Sequence, residues 1–276
     1  MLRGKEHNVT GHDPQWVREV SERHMRAYGP DDIDILMNSV SPQGGVWAGL
    51  APPHGATLLR TTEEIRATYT QLLAAVNVGT SRTFNLISTD WYCFFEGISS
   101  VVDKASGHTI ENRAVCLFGA DDKALTVDMA WPFGDVAAVR PLRNSQSHSS
   151  ELDDLSHHQQ RMAGWSGGDV DAASTGVAEQ GFFFVPCFDP QDPRLELMCE
   201  GRAGYRAFLQ ALFALYRVRS IRQSNIVTGD QYLFSDYTLE LDDIRDGGTL
   251  TARYAMVEIL DSAGNVCGML GLATKA

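Results

Sequence analysis

The chain has 276 residues, of which 43% are hydrophobic and 21% charged, a composition typical of globular proteins and a length sufficient for two domains. Its net charge of −12 argues against nucleic acid or an anionic membrane as a partner, because both attract basic surfaces. No stretch approaches the roughly 20 apolar residues of a membrane span. The first residues also lack the apolar run of a signal peptide. We therefore expect a cytoplasmic protein with free, buried cysteines, since the five cysteines are irregularly spaced among apolar neighbours.

Three helices are predicted at the start of the chain. The first begins after Asp13-Pro14, because aspartate caps a helix and proline suits its first turn, and it ends near Gly29-Pro30. Asp31 or Asp32 caps a short second helix, in which Ile33, Leu36 and Met37 form an apolar stripe. Thr61 to Glu64 has the pattern of a capping box and opens the third helix. Residues 46–50 between them are a predicted short strand.

Strand-like sequence follows the helices. The predicted strands cover 83–102, 109–118 and 124–131, and Pro132 is expected to close the last one. Short connections between them predict antiparallel pairing.

The same order of elements returns in the second half, after a serine-rich stretch at 144–150. Helices are predicted at 151–162, after Asp169 and at 204–218; strands are predicted at 181–188, 224–241, 249–260 and 266–273.

A repeat connects the two halves. The segment from Tyr28 to Met37 returns as 165–172, with an aromatic residue, turn residues and an Asp-x-Asp in the same order. Asp90 and Asp230 are 140 residues apart, as are Arg113 and Arg253. We therefore predict an α+β protein with two similar domains, at 13–140 and 151–276, joined by a linker at 141–150.

This order resembles the NTF2-like (SnoaL-like) superfamily, in which a curved antiparallel sheet and helices form a cone around a pocket. The resemblance covers nearly the whole chain in two copies. It implies a tandem of cone-shaped α+β barrels, a small-molecule pocket and a homo-oligomer. The superfamily hosts many reactions, so the resemblance specifies the fold more closely than the activity.

Charged residues within the predicted strands are the candidates for catalysis. We single out Glu96, Arg113 and Asp128, with Tyr92 as a hydroxyl donor. A carboxylate among aromatic rings can act as a general acid or base, and an arginine can polarise an oxygen. The alternative is that these charges face solvent or form a structural arginine–carboxylate bridge. Arg113 has a counterpart at Arg253, whereas Asp128 has no acidic counterpart near 268–271, which makes Asp128 the more distinctive.

Aromatic residues are the candidates for binding a flat ligand by stacking, although simple core packing is the alternative. The predicted substrate-binding residues in the first half are Tyr28, Trp47, Tyr69, Phe94 and Trp131. The second half also offers tyrosines and charges, so a second pocket stays open as an alternative.

No metal or cofactor is expected, because the sequence contains no HExxH, no paired Cys/His set, no glycine-rich phosphate loop and no Gly-x-Ser-x-Gly. Within the superfamily, the tandem order and the aromatic content look like the cofactor-independent lyases of lignin-dimer catabolism. That resemblance implies loss of a hydroxyl and of formaldehyde from a diarylpropane diol, leaving a stilbene. A dehydratase, a ketosteroid-type isomerase, an epoxide hydrolase or a non-catalytic small-molecule-binding module are the alternatives.

Overall fold

The computed structural model describes residues 13–26, 32–42, 45–50, 56–121, 123–135, 148–185 and 198–276. The chain forms two compact units, Met1–Ala138 and Val139–Ala276. Most of the predicted linker lies outside the described residues, so the exact domain boundaries stay a prediction. No helix within the described ranges is long and apolar enough to cross a membrane.

Unit 1 contains three helices and one six-stranded sheet. The helices are α1 (Pro14–Arg26), α2 (Ile33–Met37) and α3 (Thr62–Ala75). The strands are β1 (Val46–Leu50), β2 (Ala56–Leu59), β3 (Val76–Ser88), β4 (Tyr92–Asp103), β5 (Thr109–Ala120) and β6 (Leu125–Asp135). Their order across the sheet is β2-β1-β6-β5-β4-β3.

Unit 2 has the same series of elements. Its helices are α4 (His148–Gly167), α5 (Val170–Ala173) and α6 (Gly201–Leu215). Its strands are β7 (Val177–Phe184), β8 (Met198–Glu200), β9 (Tyr216–Thr228), β10 (Tyr232–Asp243), β11 (Thr249–Leu260) and β12 (Val266–Lys275). The order β8-β7-β12-β11-β10-β9 matches that of unit 1 strand for strand, which confirms the α+β class and the two-unit organisation.

The sheets are mostly, but not entirely, antiparallel. β1 pairs with β6 in parallel, and β7 pairs with β12 in parallel. These pairs join strands that are distant in sequence, whereas the antiparallel prediction rested on short connections and holds only for consecutive strands.

Two predicted helix starts are confirmed by their side chains. Asp13 Oδ1 accepts the backbone N–H of Gln15 at 2.9 Å. Thr61 and Glu64 form a capping box in which each side chain accepts the other residue's backbone N–H. Asp32 is correctly placed as the N-cap of α2, but its side chain makes no capping hydrogen bond.

The predictions of one continuous strand at 83–102 and another at 224–241 were wrong in the same way. Each is a hairpin of two strands, β3–β4 and β9–β10, and the turns lie at 89–91 and 229–231. Each turn is short and lies between two long apolar strands, and the polar residues at both turns, including Gly229-Asp230, were not taken as turn signals. In both units the edge strand then begins directly at the end of the preceding helix.

Pro132 does not end β6, contrary to the prediction. The strand continues to Asp135, and the register with β5 shifts between Arg113 and Ala114, beside Pro132. The described pairing of β1 with β6 covers only 127–130, so the missing N–H of the proline interrupts no ladder with β1.

One face of each sheet packs on the helices of its own unit. In unit 1, Val17 and Val20 of α1, Leu36 of α2 and Ile65 of α3 are buried in a common core with strand residues such as Phe118. Cys93, Cys116, Cys199 and Cys267 are free thiols, as predicted, but only Cys93 and Cys199 are buried, and Cys187 lies outside the described residues.

Candidate functional site

A cavity of about 430 Å³ lies in unit 1 between one face of the sheet and helix α3. Its wall follows the alternation of the strands, because every second residue points to the same side. β4, β5 and β6 contribute Phe95, Gly97, Ser99, Val101, Ile110, Asn112, Ala114, Cys116, Phe118, Asp128, Ala130 and Pro132. The wall is mainly apolar with a few polar groups, which is the usual form of a small-molecule site.

Asp128 is the one carboxylate among the described lining residues, and it sits at the centre of a hydrogen-bond network. His24 Nε2 lies 3.1 Å from Asp128 Oδ2 and 3.1 Å from the Tyr69 hydroxyl. The Tyr69 hydroxyl donates a short hydrogen bond to the same Oδ2. Trp47 Nε1–H in turn donates to the Tyr69 oxygen at 3.0 Å. His24 of α1 and Tyr69 of α3 therefore converge on one carboxylate oxygen of β6, and Trp47 of β1 joins the network through Tyr69.

The other side of the His24 ring fixes its tautomer. Ser39 Oγ donates to the Leu36 carbonyl at 2.5 Å, so it can only accept from His24 Nδ1, which lies 2.6 Å away. Nδ1 therefore carries a proton. Nε2 faces both Asp128 Oδ2 and the Tyr69 hydroxyl at 3.1 Å. His24 and Asp128 are therefore close enough for one proton to be shared between them.

The position of Asp128 explains how it is held beside an apolar space. It lies in the middle of the sheet, opposite Trp47 on β1 and Phe118 on β5, and it is only 6% exposed. Among the described residues no hydrogen bond reaches its Oδ1. Burial raises the pKa of the nearby Cys116 thiol, and the charge of Asp128 adds to the rise, so this cysteine stays protonated.

Glu96 and Arg113, predicted as catalytic, lie on the opposite strand face and pair with each other. Arg113 donates from Nε to Glu96 Oε1 at 3.0 Å and also from Nη2, while Asn85 Nδ2 donates to Oε2 at 2.6 Å. This is the geometry of the structural bridge that was the alternative. Neither residue is among those lining the cavity.

The aromatic candidates divide in the same way. Trp47 and Tyr69 line the cavity, as predicted. Tyr92, Phe94 and Trp131 are buried residues whose side chains alternate to the other face. Tyr28 lies outside the described residues. The structure therefore brings together Asp128, Tyr69 and Trp47 and separates them from the remaining described candidates.

His24 and Ser39 were missed by sequence reasoning. His24 falls on the buried stripe of α1 with Val17, Val20 and Ser21, and it is fully buried. A histidine at helical spacing on an apolar stripe was the available signal. The edges of its ring face Trp47, Tyr69 and Phe118, with centroids 5.7–6.5 Å apart.

At the corresponding positions of unit 2 the inward side chains are larger. Gly97 pairs with Ala114 across β4 and β5, and at the equivalent register Tyr237 pairs with Tyr254 across β10 and β11. The next inward residue is Cys116 in unit 1 and Met256 in unit 2. These larger side chains belong to the buried core of unit 2.

Unit 2 nevertheless contains a buried ionic network. Arg161 donates to Glu258 from Nε at 2.9 Å and from Nη2 at 2.6 Å, and His158 Nδ1 lies 2.8 Å from Glu258 Oε2. Burial alone would raise the pKa of Glu258, but the charges of Arg161 and His158 outweigh burial and hold it well below its usual range. His158 is also hydrogen-bonded to the Tyr237 hydroxyl, whose pKa is raised by burial. Because packed side chains surround this network, we interpret it as part of the structural core of unit 2.

No group of three or more His, Cys, Asp or Glu side chains suited to a metal occurs within the ranges that the structure covers.

Each solved structure that the chain resembles matches about half of it. No protein-family model matches the chain, and no curated protein matches it. An NTF2-like protein from Burkholderia xenovorans is 15% identical, with a TM-score of 0.39 over 47% of this chain and 96% of that one. A ketosteroid isomerase-like protein from Erwinia carotovora atroseptica is 12% identical, with a TM-score of 0.35 over 47% and 98%. An LEH-like epoxide hydrolase from M. tuberculosis is also 12% identical, with a TM-score of 0.35 over 44% and 83%.

Proposed function

We propose that unit 1 is a cofactor-independent enzyme that moves protons on a largely apolar small molecule bound in its cavity. The observation that supports this is the carboxylate of Asp128, whose Oδ2 is held by His24 and Tyr69 while no hydrogen bond from the described residues reaches Oδ1. A desolvated carboxylate with a shared proton is suited to general acid–base catalysis, which contributes typically about 10²–10⁴-fold to a rate.

Each member of the network has a role in this proposal. Asp128 gives or takes the proton at the ligand. His24 balances the charge on Asp128, because the proton between Nε2 and Oδ2 can move toward either partner. Tyr69, fixed by Trp47 Nε1–H, donates to Oδ2 and keeps the carboxylate in one orientation. Cys116 and Phe118 keep water away from this end of the cavity.

For the reaction itself we propose the lyase chemistry that the sequence resemblance implies. A diarylpropane diol loses its benzylic hydroxyl as water, its terminal C–C bond breaks, and the terminal carbon leaves as formaldehyde, giving a stilbene. One proton is delivered to the departing hydroxyl and one is removed from the terminal hydroxyl. The overall step neither consumes nor releases protons, so the single pair of Asp128 and His24 can serve as both acid and base.

The alternative reactions require other catalytic residues. An epoxide hydrolase with an Asp–Arg–Asp set needs an arginine at the ligand, and none occurs among the described lining residues, since Arg113 is paired with Glu96 on the other face. A ketosteroid-type isomerase needs one carboxylate base and a hydroxyl donor; Asp128 offers the base, and Tyr69 would have to exchange its hydrogen bond to Asp128 for one to the substrate. Isomerisation of a ketosteroid is therefore the second activity to assay.

The test is turnover by the wild-type protein and by Asp128→Asn, which keeps the shape of the side chain but not its basicity. A phenolic diarylpropane diol is the first substrate, assayed by stilbene absorbance and by formaldehyde; a ketosteroid and a styrene oxide complete the panel. We expect Asp128→Asn to reduce kcat by about 10²-fold or more, while Glu111→Gln, an exposed carboxylate on β5, leaves it unchanged. Turnover of any panel member that survives Asp128→Asn would remove Asp128 from the mechanism. If no panel member is turned over by the wild type, the proposed reactions fail.

A further inference from the structure

A row of polar side chains crosses the cavity wall far from Asp128. Ser81 on β3, Ser99 on β4 and Asn112 on β5 lie side by side in the sheet, because Ser81 pairs with Ser99 and Ser99 pairs with Asn112. All three line the cavity. The hydroxyls of Ser81 and Ser99 are 2.7 Å apart and hydrogen-bonded. Among the described residues no partner is recorded for the side-chain amide of Asn112, which is half-buried.

The fold itself does not require this polar row. At the equivalent register of unit 2, the three positions are Ile221, Leu239 and Ala252. All three belong to, or pack against, the apolar core of that unit. The row is therefore polar where it lines the described cavity of unit 1 and apolar where the same positions belong to the packed core of unit 2. A row that served only the sheet would tolerate the same residues in both units.

The row and Asp128 lie at opposite ends of the wall. Phe118 is the partner of Asp128 on β5, and Asn112 is six residues away on the same strand, roughly 20 Å at most if the strand were straight. Between them the wall is formed by Ala114 and Cys116, with Gly97 on the next strand. A ligand of one ring is too short to touch both ends, whereas two linked rings fit an apolar middle with a polar group at each end.

We infer that Ser81, Ser99 and Asn112 form a recognition site for a hydroxyl or ether oxygen on the substrate ring that lies farther from Asp128. Asn112 can donate and accept, and each serine hydroxyl can do the same, so the row suits a phenol or its methyl ether rather than a charged group. This inference rests on the proposed function, since it assigns the distal end of the same substrate. It makes the substrate an elongated two-ring molecule that carries oxygen at both ends.

The experiment uses binding rather than turnover, so that it stands apart from the catalytic test. The probes are 4,4′-dihydroxystilbene and 4-hydroxystilbene, titrated by fluorescence into the wild type, Asn112→Ala and Ser99→Ala. We expect each variant to weaken binding of the dihydroxy probe by about 2- to 10-fold, the range for one neutral hydrogen bond. The monohydroxy probe should change little, because its single hydroxyl can stay at Asp128.

The matched control is Ser100→Ala, which removes a hydroxyl from the neighbouring residue on the other face of β4. It should leave both affinities unchanged. Equal losses for the two probes, or a loss in Ser100→Ala as large as in Ser99→Ala, would overturn the recognition site while leaving the acid–base proposal in place. Failure of both probes to bind the wild type would instead count against the two-ring ligand and the proposed lyase together.

Discussion

Replacing Glu258 by glutamine should strongly destabilise unit 2. Glu258 is 1% exposed and accepts from Arg161 Nε, from Arg161 Nη2 and from His158 Nδ1, at 2.6–2.9 Å. Glutamine has nearly the same size, so packing around the side chain is preserved. The change removes the one described negative charge that balances the buried guanidinium of Arg161, which is 2% exposed.

The magnitude follows from leaving that charge uncompensated. Removing one partner of a buried ion pair costs about 3–5 kcal/mol, a large share of the roughly 5–15 kcal/mol that stabilises a typical domain. The amide oxygen of glutamine can still accept one hydrogen bond, so we expect a value toward the lower end of the range.

Hydrogen exchange of peptides from β11, read by mass spectrometry, measures this loss in unit 2 without assuming that the whole chain unfolds in one step. Glu240→Gln on β10 is the control, because Glu240 is an exposed carboxylate of the same sheet. A cost below about 1 kcal/mol for Glu258→Gln, or a cost equal to that of the control, would refute the reasoning.

The same pair predicts a pH dependence. The pKa of Glu258 is lowered on folding, so its contribution to stability is fully present above the unfolded pKa of about 4.3 and is lost as the pH falls toward the folded value. The stability difference between wild type and Glu258→Gln should therefore shrink as the pH falls below about 4. A difference that grows as the pH falls below about 4 would contradict this sign.

Three further substitutions test the site and the fold of unit 1. Tyr69→Phe leaves Trp47 Nε1–H without its described acceptor, so it should lower the free energy of urea unfolding by about 1–3 kcal/mol. It should also reduce kcat on any panel substrate. An unchanged kcat would exclude Tyr69 from the chemistry. Gly97→Ala places a Cβ 2.4 Å from the Phe95 ring and should cost about 1–3 kcal/mol of stability. It should also weaken binding of the stilbene probes. Unchanged affinity would show that the cavity wall can rearrange around the added methyl group. Thr61→Ala removes the capping box of α3 and should cost about 1 kcal/mol, whereas Thr61→Ser should restore most of it.

Sequence signals were reliable where a residue has a well-defined local role, such as capping a helix. The capping box at Thr61, the start of α1 after Asp13 and the strand at Thr109 were all predicted from such signals, and the structure bears them out. The hairpin between β3 and β4 was missed, because its turn is only three residues long and no glycine or proline marks it.

The site was only partly predictable for a different reason. Strand alternation correctly grouped the residues of each face, but both faces contain buried apolar side chains, so alternation alone could not identify the face toward the cavity. Only the packing of α1 and α3 decides that Asp128 faces His24 while Glu96 faces Arg113. His24 is 104 residues from Asp128 in sequence, and no local pattern connects them.

The contrast between Gly97 and Tyr237 means that the same sheet backbone forms with either small or large side chains on its inward face. At matched register, a glycine and an alanine leave more space than two tyrosines do. The capacity of the chamber is thus set by a handful of inward side chains and can be enlarged or reduced without rebuilding the sheet. Such a scaffold can change the size of molecule it admits by single substitutions, each limited mainly by how well the neighbouring rings repack.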